Sequence, residues 1–223
     1  MNKEALELLR SCATTFALEL SAQELGLFDL FAEELKKWNR KINLTAIKDD
    51  REIVIKHFVD SLSLLGCLRK SGKLLDIGSG GGFPAIPLKI MLPELAVVSV
   101  DAVEKKILFQ RHAARLLRLP NFTALHARVE DLAKNHAEEF DTIVSRAFAE
   151  LPLFITLALP LLKPTGQIIA MKGREGKDES LAAEKNLASL GVKIVECIHL
   201  QLPSSGAERC LVVMAKKREE FGQ

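Results

Sequence analysis

Lys73-Leu-Leu-Asp76-Ile-Gly78-Ser-Gly80-Gly-Gly82-Phe83-Pro84-Ala-Ile-Pro87 is the stretch on which the reading of this chain turns. Leu74, Leu75 and Ile77 form a short apolar run that stops at glycine, the pattern of a buried strand entering a tight turn. Glycines there admit positive φ and let backbone approach a ligand with no Cβ between them. The apolar stretch from Pro84 to Leu92 reads as a helix whose first N–H groups lack intrahelical partners. A dinucleotide turn is written G-x-G-x-x-G. Counted from Gly78, Phe83 stands where its third glycine belongs, and Asp76 places a carboxylate just before the turn. A carboxylate at that point suits a cationic ligand better than a pyrophosphate. S-adenosylmethionine, with an ammonium, a sulfonium and no phosphate, fits that description. Asp101 closes the next apolar run, where αβ nucleoside sites keep an acid for the ribose hydroxyls. A glycine-rich turn can also be only a turn; here the preceding strand, the following helix and the second acid favour a ligand site.

The rest of the chain is consistent with one large domain, or a domain with an appendage, of an ordinary globular protein. It has 223 residues, 48% hydrophobic and 27% charged, with 31 basic and 29 acidic side chains. A net charge of +2 neither demands nor excludes nucleic acid, so any basic surface must be local. No apolar run approaches a membrane span, and the first residues do not have the layout of a signal peptide. Cys12, Cys67, Cys197 and Cys210 are widely spaced and form no C-x-x-C pair, so reduced thiols, no metal site and a cytoplasmic location are expected.

Residues 1–72 read as a helical extension. One helix is expected from Asn2 to Leu20. Ser21-Ala-Gln-Glu24 has the form of a capping box for a second, whose Leu25, Phe28, Phe31, Leu35 and Trp38 recur at helical spacing and read as core. Asp49 or Asp50 can cap a third, carrying Val54, Phe58, Leu62 and Leu65. From Lys73 strands and helices alternate: strands at 74–77, 97–101, 122–126, 142–145 and 167–171, helices at 84–92, 105–117, 151–162 and 181–190. Two last strands, near 193–202 and 209–216, are joined by too short a loop for a crossover and should form an antiparallel hairpin. The architecture expected is α/β, a Rossmann-like doubly wound, mostly parallel sheet ending in that hairpin. The α/β domain spans 73–217 and a charged tail 218–223.

Ligands of such sheets bind beyond the carboxyl ends of the strands. That rule gathers Gly78, Gly80, Gly82 and Phe83 after the first strand, Asp101, Ala102 and Val103 after the second, Val129, Glu130 and Asp131 after the third, Arg146 and Phe148 after the fourth, and Lys172 to Arg174 after the fifth. Together they offer an acid for a ribose, an acid near an adenine and a cation. Each alone could be a solvated loop charge; Arg146 could pair with Glu130 or Asp131 for purely structural reasons.

Over nearly its whole length the chain resembles the bacterial small-subunit ribosomal RNA guanine-N7 methyltransferases, also called the glucose-inhibited division protein B family. The resemblance rests on Trp38-Asn39 with Asn43-Leu44-Thr45, His57-Phe-Val-Asp60-Ser61-Leu62, the loop from Asp76 to Pro84, Arg128-Val129-Glu130, Ser145-Arg146-Ala147-Phe148, Lys172-Gly173-Arg174, and Glu208-Arg209 with Leu211-Val-Val213. The family usually has glycine where Ala85 stands, a departure expected to matter little. The resemblance implies a methyltransferase fold with a helical N-terminal extension, S-adenosylmethionine as cofactor, and a guanine in the decoding-centre loop of 16S rRNA, naked or in a small-subunit precursor, as methyl acceptor. Gly78 and Phe83 would contact the cofactor, Asp101 to Val103 its ribose, Val129 and Glu130 its adenine, and Arg146 its methyl-donor end. A monomer is expected.

The residues after the fourth strand carry their own information. Enzymes of exocyclic amines often show a Pro-Pro-Tyr/Phe type motif there, and cytosine C5 chemistry needs a cysteine beside the site; this chain has Ser145-Arg-Ala-Phe148 and no such cysteine. Guanine N7 has an in-plane lone pair and needs no base, but many small-molecule methyltransferases would look alike. Arg146 is the candidate orienting residue and Phe148 a candidate stacking partner for the base. Two basic clusters, Lys36, Lys37, Arg40, Lys41 and Arg111, Arg115, Arg118, are candidates for phosphate contacts or plain solvated faces. A small-molecule methyltransferase and a non-catalytic nucleotide-binding module remain alternatives.

Overall fold

The computed structural model describes residues 1–146 and 149–217. The expected stacking role of Phe148 and the expected tail at 218–223 lie outside the described residues.

Helix α1 (Lys3–Thr14) is capped by Asn2, whose side chain accepts from Ala5 N. It ends well before Leu20. The Thr14 and Thr15 hydroxyls donate back to the carbonyls of Ser11 and Cys12, and such local bonds compete with helix continuation. Helix α2 (Ala22–Ile42) starts at the expected capping box, with Ser21 and Glu24 each accepting from the other's backbone N–H. Asp49 caps the next helical segment, which runs as α3 (Asp50–Ile53), a π-helical stretch (Val54–Val59), α4 (Asp60–Leu62) and a 3₁₀ turn (Ser63–Gly66). Widened turns of that kind often occur at functional sites.

Seven strands then form one sheet in the order β3-β2-β1-β4-β5-β7-β6. Strands β1 (Lys73–Ile77), β2 (Ala96–Asp101), β3 (Phe122–His126), β4 (Phe140–Arg146) and β5 (Leu162–Lys172) run parallel. Strand β7 (Glu208–Lys216) is antiparallel to both β5 and β6 (Val192–Gln201), so the expected hairpin is present with its second strand on the inside. Helices α5 (Ala85–Met91), α6 (Glu104–Leu116), α7 (Val129–His136), α8 (Leu151–Ala158) and α9 (Gly176–Ser189) make the connections. Strand β5 begins five residues earlier than expected, and its ladder with β4 is interrupted between Phe140 and Thr142.

Alternation along the strands sends side chains to two cores. Leu74, Val97, Val144 and Ile169 face α1, α2, α5 and α6, whereas Leu75, Val98, Ile143 and Ile168 face α7, α8 and α9. The first core is continuous with the N-terminal helices. At its centre Phe58 lies among Phe28, Phe31 and Phe83, with ring centroids 5.0, 5.8 and 6.2 Å away. All of the α2 stripe except the half-buried Trp38 is buried, as core packing requires.

Because Phe58 is fully buried and joins the π-helical stretch to both α2 and the glycine loop, Phe58→Ala is expected to cost about 3–5 kcal/mol, read as a lower denaturant midpoint. A loss below about 1 kcal/mol would mean that the N-terminal helices do not share the core of the sheet.

Candidate functional site

The loop after β1 is shaped by backbone bonds and by polar groups beneath it. Gly78 and Ser79 donate to Val100 O at 2.9 and 3.2 Å, and Gly82 and Phe83 both donate to Ser79 O at 2.9 Å. Gly82 sits at φ +87°, and a Cβ there would come within 2.5 Å of the Ile86 side chain, so glycine is required. Gly80, at φ +57°, faces open space. Below the loop lies a closed polar cluster that sequence reasoning missed. The Gln110 amide donates to Ser79 Oγ and to Gly80 O, each at 2.8 Å, Ser99 Oγ is 2.6 Å from Ser79 Oγ, and the Ser99 hydroxyl also meets Gln110 Oε1. Ser99 and Gln110 are fully enclosed. A satisfied buried network of this kind fixes one loop conformation. Its only sequence signal is two polar residues inside otherwise apolar patterns.

Beyond the carboxyl ends of β1 to β3 a cleft of about 320 Å³ is lined by Gly78, Asp101, Ala102, Val129 and Glu130, five of the predicted residues, and also by Lys106 and Arg128. Asp101 is nearly buried. Its Oδ2 accepts from Gly80 N at 2.9 Å and its Oδ1 from Val103 N at 2.8 Å, with Lys106 Nζ 3.7 Å from Oδ2. The carboxylate thus braces the loop as well as walling the cleft, and each oxygen retains a lone pair for a hydroxyl. Val103 is exposed at the rim and leads into α6.

Asp76, Phe83 and Arg146 do not line this cleft. Phe83 is buried, with the His57 ring stacked on it at 4.3 Å between centroids and 14° between planes. Arg146 lies with its guanidinium carbon 5.4 Å from the centre of the Phe83 ring, a cation–π arrangement. Its Nη1 donates to Lys56 O at 2.9 Å and lies 3.3 Å from both His57 Nδ1 and Asp60 Oδ2. The partner of Arg146 is therefore Asp60, and neither Glu130 nor Asp131. Asp60 Oδ1 also accepts from Arg209 Nε at 2.7 Å, so one buried carboxylate serves two guanidinium groups. His57 Nε2 is 3.0 Å from Thr45 Oγ1, and Thr45 is clamped by Asn39, which donates from Nδ2 to Thr45 O and accepts from Thr45 N. The asparagine, threonine, histidine and aspartate segments ahead of the glycine loop, together with Arg209, thus converge on Arg146. Lys172, after β5, instead donates to Ala149 O and pairs with Glu179.

Similarity to known proteins agrees with this layout. A profile described as rRNA small subunit methyltransferase G matches residues 24–209. The ribosomal RNA small subunit methyltransferase G of Geotalea uraniireducens is 58% identical over 97% of this chain and 99% of its own, and that of Geobacter metallireducens 55% identical over 98% and 100%. Among solved structures, the ribosomal protein L11 methylase of Lactobacillus delbrueckii superposes with a TM-score of 0.55 at 18% identity, covering 77% of this chain and 81% of that one. TYW2 of M. jannaschii, solved in complex with AdoMet, gives 0.56 at 13% identity over 70% and 74%. At such identities these two structures speak to the fold, which they share.

Two buried groups have displaced proton affinities. Burial, opposed by the Ala85 amide and Arg146, pushes the Asp76 carboxyl from 3.8 up to about 7. Its Oδ2 accepts from Ala85 N at 3.1 Å, while Oδ1 is enclosed without a hydrogen-bond partner among the described residues. Burial and the Arg146 charge lower His57 from 6.5 to about 3, so its ring is neutral at pH 7. With Nδ1 facing a guanidinium donor, the proton belongs on Nε2, toward Thr45. The two shifts act oppositely on stability. Folded Asp76 keeps a proton that the unfolded chain releases near pH 4, so its contribution falls as pH rises from about 4 to about 7; folded His57 refuses a proton that the unfolded chain binds, so its contribution rises from about pH 3 to about 6.5. Asp76→Asn removes the first effect. Its stability relative to the unsubstituted protein is expected to rise by about 1.4 kcal/mol per pH unit between about pH 4 and 7, measured by denaturant unfolding. A difference independent of pH would show that Asp76 ionises normally.

Proposed function

The chain belongs to the rRNA small subunit methyltransferase G family, and on that premise we propose that it transfers a methyl group from S-adenosylmethionine to N7 of a guanine in the decoding-centre loop of 16S rRNA, in the cytoplasm. The observation that carries the choice of cofactor is the unpartnered, enclosed Oδ1 of Asp76 beside the glycine loop. A cationic group brought near would keep that carboxylate ionised, which a phosphate would not. The open side of Gly80 leaves room against the loop. Asp101, with a lone pair left on each oxygen, would hold the ribose; Val129 and Glu130 would meet the adenine, Ala102 and Val103 the rim, and Gly78, Gly82 and Phe83 the shape of the loop.

The cofactor, when bound, supplies an activated methyl group on a sulfonium. Displacement at such a carbon needs alignment above all, and the residues of this chain are arranged to hold position. Arg146 is fastened by Lys56 O, His57 and Asp60 on one side and by the Phe83 ring on another. From there it orients the guanine or the methionine carboxylate as a fixed cation. His57 is kept neutral with both ring nitrogens engaged, which removes it as a general base. A guanine N7 offers its lone pair without deprotonation, so the arrangement suits that acceptor.

Adenosylmethionine or its demethylated product is expected to bind in calorimetric titration and NADH is not. Arg146→Ala is expected to lower kcat/KM for methylation about 100-fold or more with the fold retained by circular dichroism. In 16S rRNA from a deletion strain, the reverse-transcriptase stop produced by reduction and aniline cleavage at the N7-methylated guanine should vanish. Persistence of every such stop would sink the assignment to this nucleotide chemistry.

A further inference from the structure

The two basic clusters noticed in the sequence differ in the fold. On α2, Lys36 is paired with Asp50 at 2.5 Å and Lys37 with Glu34 at 3.1 Å. On α6, neither Arg111 nor Arg115, nor Arg118 just past the helix, makes an ion pair among the described residues. All three are exposed, as is Lys105 in the first turn, and Glu104 is the only acid on the helix. Arg111, Arg115 and Arg118 converge on a cavity of about 370 Å³ whose apolar wall includes Leu119, Pro120 and Phe122 and whose lining contains no carboxylate. The site is held in shape. Arg111 Nε donates to Ala124 O at 2.9 Å, and Arg118 sits at φ +51°, with its N–H donating to Arg115 O at 3.2 Å. Left-handed backbone is uncommon for arginine.

Helix α6 starts immediately after Val103 at the rim of the cleft and runs about 20 Å, at 1.5 Å per residue, toward the amino ends of the strands. Its outer face thus carries Arg111 and Arg115 toward its far end and the exposed Leu108 and Glu104 nearer the candidate active site. Guanidinium groups grip phosphates as two-pronged donors, and an apolar wall beside them suits a sugar or base. We infer that this face, ending in the Arg111, Arg115, Arg118 cavity, docks the phosphodiester backbone of RNA lying outside the methylated loop. This inference rests on the reading of the chain as an rRNA methyltransferase.

The test compares the unsubstituted protein with Arg115→Gln/Arg118→Gln, which leaves the Arg111 bond to Ala124 in place, and with Lys36→Gln/Lys37→Gln. Binding to small ribosomal subunits and to naked 16S rRNA, both from a strain lacking the enzyme, is measured between 50 and 200 mM salt. Calorimetric affinity for adenosylmethionine and the thermal midpoint serve as controls. Loss of two phosphate contacts should lower the slope of log K against log salt by about 2 and weaken low-salt binding at least about tenfold, with cofactor affinity and midpoint unchanged. Arg115→Lys/Arg118→Lys should restore the slope. An unchanged slope and affinity in the arginine variant would overturn the docking surface while leaving the enzymatic reading intact, as would an equal loss in the lysine variant. Failure of the unsubstituted protein to bind either RNA sample would overturn both.

Discussion

Asp60 is the constraint on which the rest of the arrangement depends. Its side chain is almost fully enclosed, yet it meets Arg146 from the end of β4 and Arg209 from the start of β7. Removing a carboxylate from between two guanidinium groups would leave cations partly buried without a counter-charge, a far larger penalty than losing an exposed ion pair. The N-terminal helices are therefore not a separate lid laid over a finished sheet. They supply the anion that determines where Arg146 can stand, and the same segment supplies His57, whose ring lies between Arg146 and Thr45 and covers Phe83.

A second constraint operates on the glycine loop. Ser79, Ser99 and Gln110 hold it from below, Asp101 holds Gly80 from the side, and Asp76 holds the first residue of α5. The loop is thus set in one conformation before any ligand arrives, which reduces the ordering that binding would require. The cost is carried by Asp76, buried with one oxygen unanswered. A ligand that answered it would both relieve that cost and gain affinity from it.

Much of this was legible in the sequence because the signals are local. The capping box at Ser21, the core stripe of α2, the strand-then-glycine pattern at Gly78 and the hairpin near the end are all fixed by residues within a few positions of one another. The same is true of the cleft residues Asp101, Ala102, Val129 and Glu130, which follow from strand ends. What was not legible is long-range. Arg146 could be suspected of having a partner, but its pairing with Asp60 joins positions 86 residues apart, and Arg209 reaches the same carboxylate across 149. Gln110 sits on a helix face that looks like any other until the loop is placed above it. The early end of α1 at Thr14 was decided by two threonine hydroxyls that periodicity does not register.

The placement of β7 has a bearing on how the chain is made. Strand β7 follows every other described strand in the chain, yet it lies inside the sheet, between β5 and β6, and brings Arg209 to Asp60. Until those residues leave the ribosome, β5 presents an open, apolar edge and the carboxylate has only one of its two arginines. Nascent chains of this protein therefore pass through a stage with a sticky strand edge, the kind of species that chaperones shield, and the arginine cluster closes only once β7 has emerged.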